Sequence, residues 1–304
     1  MTSNSHFEYD FFKDTSYQPY VSDLYHYTSP EGLLGILQGN SLRFTHIYFL
    51  NDKSEMIYTY NLLLQDVLKD LKSSINESLL KAIEGRAKYV TNENYYNEES
   101  GVLFRTDYYV ASFSKDSDNL GLWNYYTKTN NKTGYNIKFK HDLIVDLKQH
   151  YECVYASCVC YDKQKQIELL KNTVSKYNDL YNAIDPERET ERQDVIKNLS
   201  YNFIMYSLFF KHPKYSSEQE YRIIIGNCSH VDDSKLEFRI QNGLFIPYLE
   251  HKFTYGDDGE RIFDGIKVSP ISNKNLVRYS LTKIKNKINA PYLEISFSEI
   301  PLRY

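Results

Sequence analysis

The run Tyr215-Ser216-Ser217-Glu218-Gln219-Glu220-Tyr221-Arg222-Ile223-Ile224-Ile225 leaves the chain little freedom. Its second half is apolar and β-branched and stops at Gly226-Asn227, which predicts a buried strand. Strand side chains alternate between faces, so the spacing puts Glu218, Glu220 and Arg222 on one face and Tyr221, Ile223 and Ile225 on the other. Charges are rarely buried without partners. The charged face therefore looks into a polar cleft, a functional arrangement, or closes an internal ion-pair network, a structural one. The run itself leaves both open.

The rest of the sequence is that of a globular chain. Its 304 residues suffice for a large core in one or two domains. The net charge of -4 gives no general attraction to nucleic acid or an anionic membrane. No apolar run approaches the ~20 residues of a membrane span, and the first ten residues lack a charged segment followed by an apolar core, so no secretion signal is expected. Three of the four cysteines, Cys153, Cys158 and Cys160, fall in an alternating strand-like run, and Cys228 follows the Ile-rich strand. Without a Cys-x-x-Cys, all four are expected as free thiols in a reducing cytosol.

Read in order, residues 1–20 form a polar and aromatic arm. Leu24–Thr28 is the first strand. Ser29 caps a helix that opens with Pro30 and stops at Gly39-Asn40. Asp52 and Glu55 have capping-box spacing before a long helix carrying Ile57, Tyr60, Leu63, Leu64, Val67, Leu68 and Leu71. A second helix spans about Glu77 to Val90, and a loop follows over 91–100. Tyr108–Ser114 is a strand, Asp116–Asn119 a turn with capping chemistry, and Leu122–Tyr126 a short helix. Strands follow at Tyr135–Phe139 and within Tyr151–Tyr161. Helices are expected at 162–182 and 190–211, then strands at 236–240, 243–249 and 262–268, a helix over 273–287, and a last strand Tyr292–Phe297. No repeat or flexible linker is visible. The expected architecture is α+β: a single domain over 21–304 built on a mixed, mainly antiparallel sheet, with helical insertions at about 52–90 and 162–211.

The common nucleotide, zinc-protease and hydrolase signatures do not occur, and no His or acidic cluster has metal-ligand spacing, so no metal site is expected. Three polar constellations stand out: His26 inside the first strand, Ser112 and Ser114 on one strand face, and the Glu-x-Glu-x-Arg run. Each has a structural alternative. A strand histidine among aromatics is commonly a satisfied core residue, a Ser-x-Ser face can simply meet water, and the charged run can be an ion-pair network. Their succession along one chain is the more informative signal.

The run Leu24-Tyr25-His26-Tyr27-Thr28-Ser29, then Phe49-Leu50-Asn51-Asp52 with Glu55, resembles a bacterial family defined as a domain of unknown function, number 2971. So do Ala111-Ser112-Phe113-Ser114, Trp123-x-x-Tyr126, Gly134-Tyr135-x-Ile137-x-Phe139, Glu218-x-Glu220-Tyr221-Arg222-Ile223 and Ser298-x-Ile300-Pro301-x-Arg303. The family usually has a Trp shortly before its Glu-x-Glu; here Tyr215 occupies that neighbourhood. The family in turn resembles the ADP-ribosyltransferase-like fold.

That resemblance implies an NAD-consuming enzyme, an ADP-ribosyltransferase or an NAD glycohydrolase. It implies His26 as ribose holder, Ser112 and Ser114 as pocket supports, Glu220 as catalytic carboxylate and Glu218 as the acid that orients the acceptor. Tyr25, Tyr27, Thr28, Trp123 and Tyr126 would line the NAD site, with Tyr27 or Tyr126 stacking on the nicotinamide ring. Arg222 would bind pyrophosphate or pair with Glu220. The implied partners are a macromolecular acceptor and a regulatory or antitoxin protein, in the setting of a toxin-like effector of antiviral defence. Two other classes stand beside this expectation. One is a catalytically inactive module that binds a nucleotide or a partner. The other is a single-stranded nucleic-acid binder using Lys128, Lys132, Lys138 and Lys140 beside Tyr125, Tyr126 and Tyr135.

Overall fold

The computed structural model describes residues 23–50, 54–91, 108–126, 133–140, 142–226, 233–255, 260–270 and 273–301. The N-terminal arm, Asn51 and Asp52, the loop after Thr91, Lys128, Lys132, Cys228 and Arg303 lie outside them. The chain divides into two compact units. The first combines 51–105 with 159–215, and so contains the stretches expected as helical insertions; the second combines 19–50, 106–158 and 216–304.

The first unit is helical. Helices α2 (Ser54–Leu62) and α3 (Leu68–Leu71) are joined by a π turn, Leu63–Val67. They pack with α4 (Glu77–Thr91), α7 (Lys163–Ala183) and α8 (Glu189–Phe209). Asp162 caps α7 by accepting from the backbone N–H groups of Gln164 and Lys165. The apolar second half of α8 is buried from Asn202 to Phe209, as its composition predicts. Several polar groups inside are paired. Asn202 donates to Tyr177 Oη at 2.9 Å, and Thr173 Oγ1 lies 2.6 Å from Tyr206 Oη. The fully buried Gln166 donates to the carbonyls of Cys160 and Lys211. Paired this way, these groups avoid the cost of a buried unsatisfied donor.

The second unit is built on one ten-stranded mixed sheet. Its strands are β1 (Leu24–Thr28), β2 (Ser41–His46), β3 (Tyr109–Ser114), β4 (Tyr135–Phe139), β5 (Val154–Cys158), β6 (Glu220–Ile225), β7 (Leu236–Gln241), β8 (Leu244–Lys252), β9 (Phe263–Val268) and β10 (Glu294–Phe297). The order is β10-β9-β4-β1-β3-β2-β8-β7, and β6 pairs with both β3 and β5. Among the described residues every pairing is antiparallel except β9 with β10. The mixed α+β architecture is thus the one expected.

One face of the sheet carries Leu24, Phe44, Phe113, Ile137, Phe139, Tyr221, Ile223 and Ile266. Against it pack Leu33, Ile36 and Leu37 of α1 (Pro30–Gly39), Leu143, Ile144 and Leu147 of α6 (Asp142–His150) and Leu281 of α9 (Lys274–Lys287). Ser29 caps α1 by accepting from Gly32 N–H at 3.2 Å, and Asn40 ends it at φ 48°. Thr28 fills the space at Gly32: a Cβ there would lie 2.0 Å from Thr28 Oγ1. Helix α6 is a new finding. Its Leu143, Ile144 and Leu147 have helical spacing, and the segment is short, Asp142–His150.

Four free thiols were expected, yet Cys153 is disulfide-bonded, while Cys158 and Cys160 are free. The β5–β6 pairing brings Cys153 to the end of β6, where its carbonyl accepts from Gly226 N–H at 2.9 Å. Sequence spacing alone does not reveal such a long-range approach.

Candidate functional site

Residues opposite each other across an antiparallel pair share a face. The register therefore sorts the expected site residues. Tyr25 stands opposite Ser114, and Ser114 opposite Glu220. Ser112 stands opposite Arg222, and Arg222 opposite Ser157. These six share the face away from α1, α6 and α9.

Glu220 and Arg222 are both buried. Arg222 Nε donates to Glu220 Oε1 at 2.7 Å and Nη2 to Oε2 at 3.1 Å. This is a bidentate fork, the strongest common carboxylate pairing. Of the two uses expected for Arg222, the described geometry is the pairing with Glu220. Beside this pair Tyr25, Ser112 and Ser157 are half-buried.

Glu218 does not share the strand face. A 3-10 turn, Pro213–Glu218, precedes β6, and Gln219 has φ 45°. That left-handed residue breaks the alternation on which the expectation rested. The Glu218 carbonyl accepts from Ser114 Oγ at 2.7 Å.

His26 also departs from expectation. It sits opposite Ile137 on the core face, with its ring 5.5 Å from Phe113 and 6.5 Å from Phe139. Burial lowers its pKa, and its Nδ1 contact with the Ser112 carbonyl at 2.9 Å opposes that shift. Thr28 lies on the same core side, opposite Tyr135. The sheet therefore stands between the rings of His26 and the Ser112–Glu220 face, and neither His26 nor Thr28 reaches that face.

Tyr27 is on the polar face but is not available for stacking. Its hydroxyl donates to the Asp116 carbonyl at 2.8 Å and accepts from Asn119 N–H at 2.9 Å, and its ring meets Trp123 edge-on at 4.6 Å. Trp123, on α5 (Leu120–Tyr126), is fully buried and donates Nε1–H to Asp118 at 2.7 Å. The side chain of Tyr126 lies outside the described residues.

The separate sequence motifs instead meet at one turn, 115–119. Asp116 N–H donates to Ser114 Oγ, Asn136 Nδ2 to the Ser117 carbonyl, Lys267 Nζ to Ser117 Oγ and Glu299 N–H to Asp118 Oδ2. Asn119 caps α5 by accepting from Leu122 N–H, as the turn's composition predicts, and donates to the Ser217 carbonyl at 2.5 Å. Burial opposes the Asp118 charge, but hydrogen bonds from Ser298, Trp123 and Glu299, with Lys267 nearby, outweigh it and hold the carboxyl below its usual range. The turn is thus fixed from β1, β3, β4, β9 and the C-terminal segment. Asn136, Ser157 and Lys267 were missed because each is a single polar residue in an ordinary strand.

Of the four lysines named for the nucleic-acid alternative, the two that are described, Lys138 and Lys140, are both in ion pairs. Lys138 Nζ lies 3.3 Å from Asp23 and 3.5 Å from Asp264, and Lys140 Nζ lies 2.8 Å from Glu260. Paired lysines release little counterion to a phosphate backbone. No described helix is long and apolar enough to cross a membrane.

No curated protein and no solved structure matches the chain significantly. The model of the family described as a protein of unknown function (DUF2971) matches residues 122–223, from within α5 to Ile223 of β6, and this is the family that the chain's motifs resemble.

Proposed function

We propose that the polar face around Glu220 and Arg222 binds NAD, and that Glu220 acts there on the bond between nicotinamide and ribose. The protein would then be an ADP-ribosyltransferase, or an NAD glycohydrolase where water is the acceptor. The observation that carries this reading is a carboxylate gripped by a guanidinium fork on the same face as Ser112, Ser114 and Ser157. Cleaving an N-glycosidic bond builds oxocarbenium charge, which a fixed carboxylate stabilises. Arg222, flanked by Ser112 and Ser157, suits bidentate capture of pyrophosphate. On this route the phosphates draw Arg222 away from Glu220 and release the carboxylate to a ribose hydroxyl. His26 and Thr28 take no part in contacting NAD. A macromolecular acceptor and a regulatory or antitoxin partner belong to the same reading.

A second reading is favoured by one observation: both Glu220 oxygens are occupied by Arg222 and the pair is buried. A carboxylate so engaged supports a face that binds a nucleotide without turning it over. Incubating the protein with labelled NAD and bacterial lysate, with Glu220→Gln alongside, separates the two. Nicotinamide release that depends on Glu220 supports the enzyme, and label on a macromolecule makes it a transferase. NAD binding without release by the folded protein supports the binding module.

A further inference from the structure

On the helix-covered side of the sheet, away from Glu220, the end of α6 meets the end of β8. Asp146 and His150 lie four residues apart on α6 and so share one helical face. His251 comes from β8 opposite Leu42, a core position. One ligand-type atom from each of Asp146, His150 and His251 lies within 4.8 Å of the others. Asp146 and His251 are buried, and His150 is exposed. We propose that these three side chains bind one divalent cation of the zinc type, leaving a solvent-facing position beside His150 for water.

Neighbouring groups already orient the ligands. His150 Nδ1 lies 2.8 Å from the Asp146 carbonyl. A carbonyl can only accept, so Nδ1 carries the proton and Nε2 keeps its lone pair for a metal. Thr254 Oγ1 donates to Asp146 Oδ1, which leaves Oδ2 to the site. Outer hydrogen bonds of this kind are what fix the tautomer and aim of metal ligands. Tyr151 and Phe253 bracket the His251 ring at 5.6 and 5.7 Å and shield it from water. The last turn of α6 also presents the negative end of the helix dipole.

Two imidazoles and a carboxylate select a borderline cation such as zinc, cobalt or nickel over magnesium or calcium, which prefer all-oxygen sets. At present His251 Nε2 and Asp146 Oδ2 lie 2.6 Å apart, as a hydrogen-bonded pair. Ligands about 2.0–2.1 Å from a tetrahedral zinc are roughly 3.3 Å apart. The ion therefore enters by replacing that hydrogen bond: the His251 Nε2 proton passes to Nδ1 or to solvent, and the two atoms part by about 0.7 Å. This inference is independent of the reading given to Glu220.

The test uses the full chain, stripped with chelator and titrated with cobalt for its visible ligand-field bands and with zinc by calorimetry. The expected result is one equivalent bound, four-coordinate bands and a raised melting temperature with zinc. His150→Ala leaves the buried Asp146–His251 pair intact and should weaken binding at least tenfold. Thr254→Val should weaken it about tenfold by freeing the carboxylate to turn. Absence of cobalt bands in the folded wild type would overturn the proposal. So would unchanged affinity in both variants, which would place any bound ion elsewhere.

Discussion

Replacing Arg222 by Met while Glu220 remains should destabilise the sheet by about 3–5 kcal/mol, the range for breaking one side of a buried ion pair. The figure applies because the side chains of Arg222 and Glu220 expose only 3% and 7% of their surface. Both carboxylate oxygens are bonded, at 2.7 and 3.1 Å, so no exposed lone pair compensates the loss. Glu220→Leu should cost a similar amount, because it strands a guanidinium instead. The double variant, Glu220→Leu with Arg222→Met, removes both charges together and should cost far less than the two single changes added. At about 2–4 °C per kcal/mol, each single change corresponds to a fall of roughly 6–20 °C in melting temperature. Urea unfolding followed by circular dichroism, with hydrogen exchange at the β6 amides, reads both the cost and the coupling. Single costs under ~1 kcal/mol, the range of an exposed pair, would refute the reasoning. Strictly additive costs would refute it as well.

Further outcomes follow from the same geometry. His26 and His251 both have pKa values below the ordinary 6.5. The unfolded chain therefore binds more protons below that pH, and stability should be full above it and fall as pH drops beneath it. His26→Asn should flatten that fall, as measured by melting temperature against pH. Gly32→Ala should cost about 1–3 kcal/mol through its clash with Thr28 Oγ1, with most of it recovered by Thr28→Ala, on urea unfolding. Gln219→Gly should stabilise by up to ~1 kcal/mol by relieving the left-handed backbone at φ 45°, whereas Gln219→Val should destabilise.

Much of the framework was legible in the sequence because local rules governed it. Ser29 and Pro30 start α1, Asn40 stops it, and Ile223–Ile225 form a buried strand. The face of each residue was legible only while the alternation held. It failed for Glu218 because one left-handed residue, Gln219, intervenes between the 3-10 turn and β6. Alternation along β1 groups His26 with Leu24 and Thr28, and the register against β4 agrees. What the sequence lacked was the register of β1 against β3, which sets Tyr25 rather than His26 beside Ser114. Trp123 and Tyr27 carry the family resemblance, yet their contacts hold the turn 115–119. Short aromatic motifs do not distinguish a ring that binds from a ring that braces. The Asp146–His150–His251 group was invisible because its third member is about a hundred residues distant from the α6 pair, although Asp146 and His150 at helical spacing were the available half of the signal.

The most direct test of the proposed function is calorimetric titration of the protein with NAD, beside Ser112→Tyr. Ser112 is half-buried on the face that carries Glu220 and Arg222, so a tyrosine there fills the proposed site without removing either charge. The expected result is saturable binding by the wild type and at least a tenfold loss in the variant, with both folded by circular dichroism. No heat from the folded wild type up to about 1 mM NAD, the upper range of common substrate constants, would contradict the proposal. Equal affinity in the two proteins would move any NAD site off this face.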